Sequence, residues 1–183
     1  MKNFTEKRVL MNKDEIKHTL RRLANEIVEK NHGVENLAII GIQTRGVHIA
    51  KRIIAEIQKE NAEGDIIFGI LDTTLYRDDF ETLETPPPLK ETEISFNVND
   101  KKIILIDDVL FTGRSIRAAI DQLIDFGRPK NIQLAVLIDR GHRELPIEPN
   151  FVGKKIPTAR EELVSVELEE VDGQDRVVLK QAK

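Results

Sequence analysis

The sequence predicts an α/β fold: a mainly parallel, twisted sheet with helices on both faces and a small cap or hood. Two observations carry this. Short, nearly continuous apolar runs, Leu37 to Ile42 (LAIIGI) and Lys102 to Ile106 (KIILI), read as strands buried on both faces. Each leads into a segment whose apolar residues recur at helical spacing, and strands that alternate with helices over most of a chain run parallel, because each helix is the crossover.

From Asn12 to Lys30, Ile16, Leu20, Leu23, Ala24, Ile27 and Val28 mark one helical face, with Asn12 and Glu15 placed as a capping pair. The strand Leu37 to Ile42 follows Asn31-His32-Gly33. Gly46 to Lys59 returns to helical spacing through Val47, Ala50, Ile53, Ile54 and Ile57. Asp65 to Thr73 reads as the next strand. It opens into a polar stretch, Thr74 to Glu93, with Arg77-Asp78-Asp79 and Pro86-Pro87-Pro88 inside it; a loop that long in a compact domain is more often functional than idle. Ile94 to Val98 is a candidate short strand and Lys102 to Ile106 the strongest one. Ile116, Ala119, Ile120, Leu123 and Ile124 then share a helical face closed by Gly127 and Pro129. Ile132 to Ile138 is another strand. Phe151 to Lys180 holds two strand-like runs, Val164 to Leu168 and Val177 to Lys180, and reads as a cap or edge.

With 183 residues, the chain fits one domain over 1–183, with a flap at about 74–93 and a hood at about 145–183. At 40% hydrophobic and 33% charged residues it is neither a membrane span nor a disordered tail, so no membrane partner is expected. It has no cysteine, which removes disulfides, thiolate zinc sites and cysteine nucleophiles. Met1 to Leu10 lacks the apolar run of a secretory signal, so a cytoplasmic setting is expected. His18, His32, His48 and His142 have no spacing suited to a metal cage. A net charge of −4 argues against a chain whose main work is coating nucleic acid and leaves room for a local basic patch.

The chemistry concentrates in Ile103 to Ser115, where apolar strand residues end in Asp107-Asp108 and then a short turn opens a helix. Ligands of open α/β sheets bind at the carboxyl ends of strands. Thr112-Gly113-Arg114-Ser115 combines two hydroxyls, a glycine that lets backbone approach an anion, and the first free amides of a helix, which is a phosphate site. The side-by-side acids can accept hydrogen bonds from a ribose diol or help hold hydrated Mg²⁺. Together they imply a ribose 5-phosphate. A plain helix cap also accounts for Thr112 or Ser115. A P-loop does not fit, since the G-x-x-x-x-G-K-[ST] arrangement is missing, and a receiver-type phosphoacceptor domain needs no such phosphate turn.

Ile103 to Ser115 resembles the signature of type I phosphoribosyltransferases. The wider chain resembles the family of bifunctional pyrimidine-operon attenuation proteins and uracil phosphoribosyltransferases. That wider likeness rests on Gly41-Ile42-Gln43-Thr44-Arg45-Gly46, Thr74 to Asp79, Gly127-Arg128-Pro129, Ile138 to Ile147 and Gly153 to Thr158, in the family's order. The resemblance implies the type I phosphoribosyltransferase fold and transfer of ribose 5-phosphate from 5-phosphoribosyl 1-diphosphate, with Mg²⁺, to uracil, giving UMP and pyrophosphate. Asp107 and Asp108 would bind ribose and, with the substrate, Mg²⁺; Val109, Leu110, Phe111, Thr112, Gly113, Arg114 and Ser115 would hold the 5′-phosphate. Thr44, Arg45 and Gly46 would form the pyrophosphate loop, with a strained peptide before Arg45, and Tyr76, Arg77, Asp78 and Asp79 a closing flap. Asp139, Arg140, Phe151 and Val152 would contact the base. Some purine-using relatives place an acid where this chain has Phe111, and a phenyl ring cannot shuttle a proton.

The resemblance also implies a UMP- or UTP-responsive regulator that binds a pyrimidine-operon leader RNA through Arg21, Arg22, Lys30, His142, Arg143 and Lys154. Asn25 stands where RNA-binding relatives tend to have histidine, and Glu148 lies where they tend to have a base. A homo-oligomer, dimer or higher, is expected. Two other readings stand beside this one: a non-catalytic pyrimidine-nucleotide sensor, and a phosphoribosyltransferase for another base without an RNA role.

Overall fold

The computed structural model describes residues 4–60, 66–76 and 91–182. In chain order its elements are β1 (Phe4–Met11), α1 (Lys13–Asn31), β2 (Leu37–Ile42), α2 (Arg45–Glu60), β3 (Ile67–Leu71), a single 3-10 turn (Thr74–Tyr76), β4 (Lys102–Leu110), α3 (Arg114–Asp125), β5 (Asn131–Asp139), β6 (Phe151–Lys155), β7 (Leu163–Glu167), α4 (Glu169–Asp172) and β8 (Arg176–Ala182). Five strands form the main sheet in the order β3-β2-β4-β5-β6, all parallel, and a second sheet has the order β1-β8-β7 with antiparallel pairs.

The capping pair forms as expected: Glu15 N–H donates to Asn12 Oδ1 at 2.9 Å and Asn12 N–H donates to Glu15 Oε2 at 2.8 Å. The helix then buries Ile16, Leu20, Leu23, Ala24 and Ile27. These residues pack with Ile49, Ala50, Ile53 and Ile57 of α2 against Ile39, Ile104 and Ile106 on one face of the sheet. On the other face, Ile116, Ala119 and Leu123 of α3 cover Ile40, Ile103 and Leu105. The middle strands are covered on both sides, which is why they read as unbroken apolar runs.

Two expectations change. Ile94 to Val98 forms no strand: Glu93 makes one isolated bridge to Ile70, and the Ile94 and Phe96 side chains pack on the α3-side core without further sheet pairing. The hood does not begin at 145, because Phe151–Lys155 pairs with β5 as the fifth strand of the main sheet. The small sheet instead takes its third strand from Phe4–Met11, which pairs with β8. Among the described residues, no helix is long and apolar enough to cross a membrane.

Candidate active site at the carboxyl edge of the sheet

Parallel pairing brings the ends of four strands to one edge. β4 continues past Ile106 because its ladder with β5 runs on through Asp107↔Val136 to Leu110↔Asp139, and Asp139 in turn pairs with Lys155 of β6. The two acids therefore lie inside the strand, where the sequence placed them just beyond it. Two glycines bring the start of α2 down onto this edge. A Cβ on Gly46 would sit 2.4 Å from the Ile106 carbonyl oxygen, and one on Gly41 would sit 2.5 Å from Val47 Cα. Arg45 is thereby held beside the acid pair.

Asp107 and Asp108 are half-buried. Asp108 N–H donates to Asp107 Oδ1 at 2.9 Å, and Val109 N–H donates to Asp108 Oδ1 at 2.8 Å. Loss of hydration and then repulsion from Asp108 push the Asp107 carboxyl well above its ordinary range. Loss of hydration also raises Asp108, opposed in part by hydrogen bonds and by the charge of Arg45. Among the described residues, no group of three or more His, Asp or Glu is arranged to hold a metal ion. The adjacent pair of carboxylates suits a cation that arrives with its own oxygen ligands.

Past Leu110 the chain turns through Gly113, whose φ of 91° is left-handed and which caps α3 without a side chain. Arg114 N–H donates to Thr112 Oγ1 at 3.4 Å. The Thr112 carbonyl accepts from Glu144 N–H at 2.9 Å and Leu145 N–H at 3.2 Å, which ties the turn to the segment after β5. The Arg143 guanidinium braces the same turn, donating to the carbonyls of Phe111 at 3.1 Å, Ile147 at 2.9 Å and Gly141 at 3.3 Å and to Asp139 Oδ1 at 2.7 Å. Phe111, Thr112, Gly113 and Ser115 stand at the turn, and Arg114 pairs with Glu144 at 2.8 Å. Val109 and Leu110 are different: their side chains pack in the two cores beneath the turn.

Thr44-Arg45-Gly46 forms the corner between β2 and α2. The cis peptide is Gln43–Thr44, one bond earlier than the unusual peptide expected before Arg45. Arg45 donates through Nε and Nη2 to the Asp172 carboxylate at 3.1 and 2.7 Å, and that carboxylate above all raises the guanidinium's pKa further.

A cleft of about 380 Å³ opens beside the turn, lined by Asp139, Arg140, Gly141, His142, Lys155, Ile156, Pro157 and Thr158. Arg140 is buried; it donates to Thr158 Oγ1 and the Ala159 carbonyl, both at 3.1 Å, and burial lowers its pKa. Of the residues expected to contact the base, Asp139 and Arg140 line this cleft, and Phe151 and Val152 do not. Phe151 is level with Ala135 in the strand ladder, buried in the core under the Lys30 ammonium at 5.1 Å. The Val152 carbonyl accepts from Arg22. The residues that sequence reasoning missed are Lys155 to Thr158. Their signal was a strand running into Ile156-Pro157 at the same edge.

Tyr76 donates its hydroxyl to Asp125 Oδ2 at 2.6 Å, at the end of α3 away from the phosphate turn. Arg77, Asp78 and Asp79 lie outside the described residues. Of the cations expected at an RNA surface, Arg21 is exposed and pairs with Glu60 at 2.8 Å. Arg22 is bound to Glu26 and to the carbonyls of Val152 and Gly153. Lys154 donates to the Leu10 carbonyl at 3.0 Å, and His142 Nε2 contacts the Thr158 carbonyl oxygen at 2.6 Å. Arg143 is spent on the turn, so the structure gives it an internal task in place of an open cationic surface.

Residues 10–170 match the model of the family described as Phosphoribosyl transferase domain. The chain is 54% identical over 179 residues to the "Bifunctional protein PyrR" of Clostridioides difficile, covering 97% of this chain and 100% of that one. It is 53% identical over 182 residues to the protein of the same name from Caldicellulosiruptor bescii, covering 99% and 97%. Among solved structures it resembles a hypoxanthine phosphoribosyltransferase of Staphylococcus aureus, with a TM-score of 0.71 at 19% identity over 97% of this chain and 93% of that one. The hypoxanthine phosphoribosyltransferase of Trypanosoma cruzi gives a TM-score of 0.72 at 15% identity over 97% and 98%. At those identities the two structures speak for the fold.

Proposed function

The chain belongs to the phosphoribosyl transferase domain family and, within it, to the bifunctional PyrR proteins, and on that premise we propose that it transfers ribose 5-phosphate from 5-phosphoribosyl 1-diphosphate to uracil, releasing pyrophosphate and UMP. The observation that carries this reading is the placement of Asp107 and Asp108 between the Gly113 turn and the Arg45 corner. A sugar's diol and its two phosphate ends call for three such features on one sheet edge.

Each part has a task. The α3 amides around Thr112 to Ser115 receive the 5′-phosphate. Asp107 and Asp108 accept from the ribose hydroxyls and hold C1 in line with the acceptor nitrogen. Arg45 offsets charge on the departing pyrophosphate. The acid pair also suits Mg²⁺ carried in by the substrate, which when bound adds charge neutralisation at the diphosphate. In the cleft between Arg140 and Pro157, the acceptor meets Lys155, His142 and the backbone of Ile156 to Thr158. Phe111 supplies no proton-transfer group, which favours a pyrimidine whose ring nitrogen needs little help from a side-chain base.

The test is initial-rate product formation with a panel of bases. Uracil is expected to give UMP and hypoxanthine nothing measurable, with activity lost in the Asp107→Asn, Asp108→Asn double variant. A double variant with wild-type rate would end this assignment.

A second activity, UMP-responsive binding of a pyrimidine-operon leader RNA, is favoured by membership of a family named bifunctional and by the exposed Arg21 on α1. Salt-sensitive binding to such a leader, strengthened by UMP, is the expected result. No binding at low salt would dismiss it.

A further inference from the structure

Arg45 already has a carboxylate partner, and it comes from the hood. Its two-point pair with Asp172 joins the first residue of α2 to α4 in a fork-to-fork geometry. Asp172 Oδ2 also accepts from Leu168 N–H at 2.9 Å. The other carboxylate whose charge Arg45 meets on the sheet edge is Asp108. Arg45 therefore stands between an acid of the proposed ribose site and an acid of the cover.

We propose that Asp172 is a positioning residue of the pyrophosphate loop: it holds the Arg45 guanidinium until diphosphate arrives and then yields that guanidinium to the anion. This rests on reading Arg45 as the cation that meets pyrophosphate. The exchange is undemanding for three reasons. The two side chains are 32% and 23% exposed, so the pair is weakened by solvent. After release Asp172 keeps its bond from the Leu168 amide. The hood stays seated without Arg45, because Arg52 pairs with Glu170 at 2.6 Å and Asp175 at 2.7 Å, and Lys13 pairs with Glu169 at 2.8 Å.

The experiment is calorimetric titration of the full chain with inorganic pyrophosphate and Mg²⁺. It compares Asp172→Asn with Glu170→Gln, which removes an equal charge from the same helix without touching Arg45. Asp172→Ser serves as a second carboxylate-free variant. We expect pyrophosphate to bind about five-fold tighter to Asp172→Asn than to Glu170→Gln, the fold-change of a partly exposed ion pair, and the gain to vanish in an Arg45→Ala background. In kinetics the KM for phosphoribosyl diphosphate falls while that for the base holds. Equal binding by the two variants, weaker binding by Asp172→Asn, or no pyrophosphate binding by the wild type would overturn the proposal. Nucleotide formation by the wild type judges the transferase reading separately: a protein that binds pyrophosphate and makes no nucleotide sinks that reading while the Asp172 comparison still stands.

Discussion

The Arg140 guanidinium lies 4.0 Å from the centroid of the Phe111 ring, so the turn before α3 and the wall of the neighbouring cleft share one contact. His142 meets the same ring edge-on at 5.8 Å. Phe111→Ala removes both contacts and opens a gap beside a buried cation. It is expected to lower stability by about 2 kcal/mol and to weaken UMP binding, while Phe111→Tyr keeps most of both. Thermal melts with and without UMP check this, and an unchanged Phe111→Ala melt counts against the shared contact.

The raised carboxyls of Asp107 and Asp108 set a pH dependence. A carboxyl that holds its proton more tightly folded than unfolded favours the fold in acid, and that contribution is lost as pH rises through the folded value. Ionising the pair is therefore a burden on the fold as pH rises above the ordinary carboxylate range. Asp107→Asn should melt above the wild type at pH 7, and the difference should shrink toward about pH 4, the ordinary carboxylate range. The double variant with Asp108→Asn should lose at least about 100-fold in rate. A wild type that melts higher at every pH would contradict the assigned direction.

Gly46→Ala places a methyl group against the Ile106 carbonyl, so either α2 lifts or β4 shifts. The expected cost is about 1–3 kcal/mol, together with a raised KM for phosphoribosyl diphosphate as Arg45 moves. Urea unfolding and a substrate titration measure the two effects, and a stable variant with unchanged KM would show that the close approach does not position Arg45.

Arg143 and Arg21 should behave differently although both are arginines of the expected RNA surface. Arg143→Ala leaves Asp139 with only the Gly141 amide as donor and takes a donor from three carbonyls, so stability should fall by about 2–4 kcal/mol. Arg21→Ala should change stability by less than about 0.5 kcal/mol and reduce the salt slope of RNA binding by roughly one. Melting curves paired with salt titrations separate the two; equal destabilisation would refute the distinction.

What was legible in the sequence followed from local periodicity. The strands at 37–42 and 102–106 could be read because both faces are buried, and the acids with their glycine turn because they follow one such run directly, although the strand continues through them to Leu110. β1 was hidden because six of its eight residues are exposed and its partner lies beyond residue 175. Phe151 was misplaced because an aromatic beside a conspicuous motif looks the same whether it faces a cleft or a core; the register with Ala135 decides, and register is a long-range property. Lys155 to Thr158 line the cleft only because β6 is the fifth parallel strand.

The pairing of β8 with both β1 and β7 also bears on synthesis. The five parallel strands have all left the ribosome once Lys155 emerges, whereas the antiparallel trio must wait for Arg176–Ala182, the last described element made. A nascent chain paused between those points still lacks Val177 and Leu179, which pack in the same core as α1 and α2, so the body and its cover finish closing in one late step.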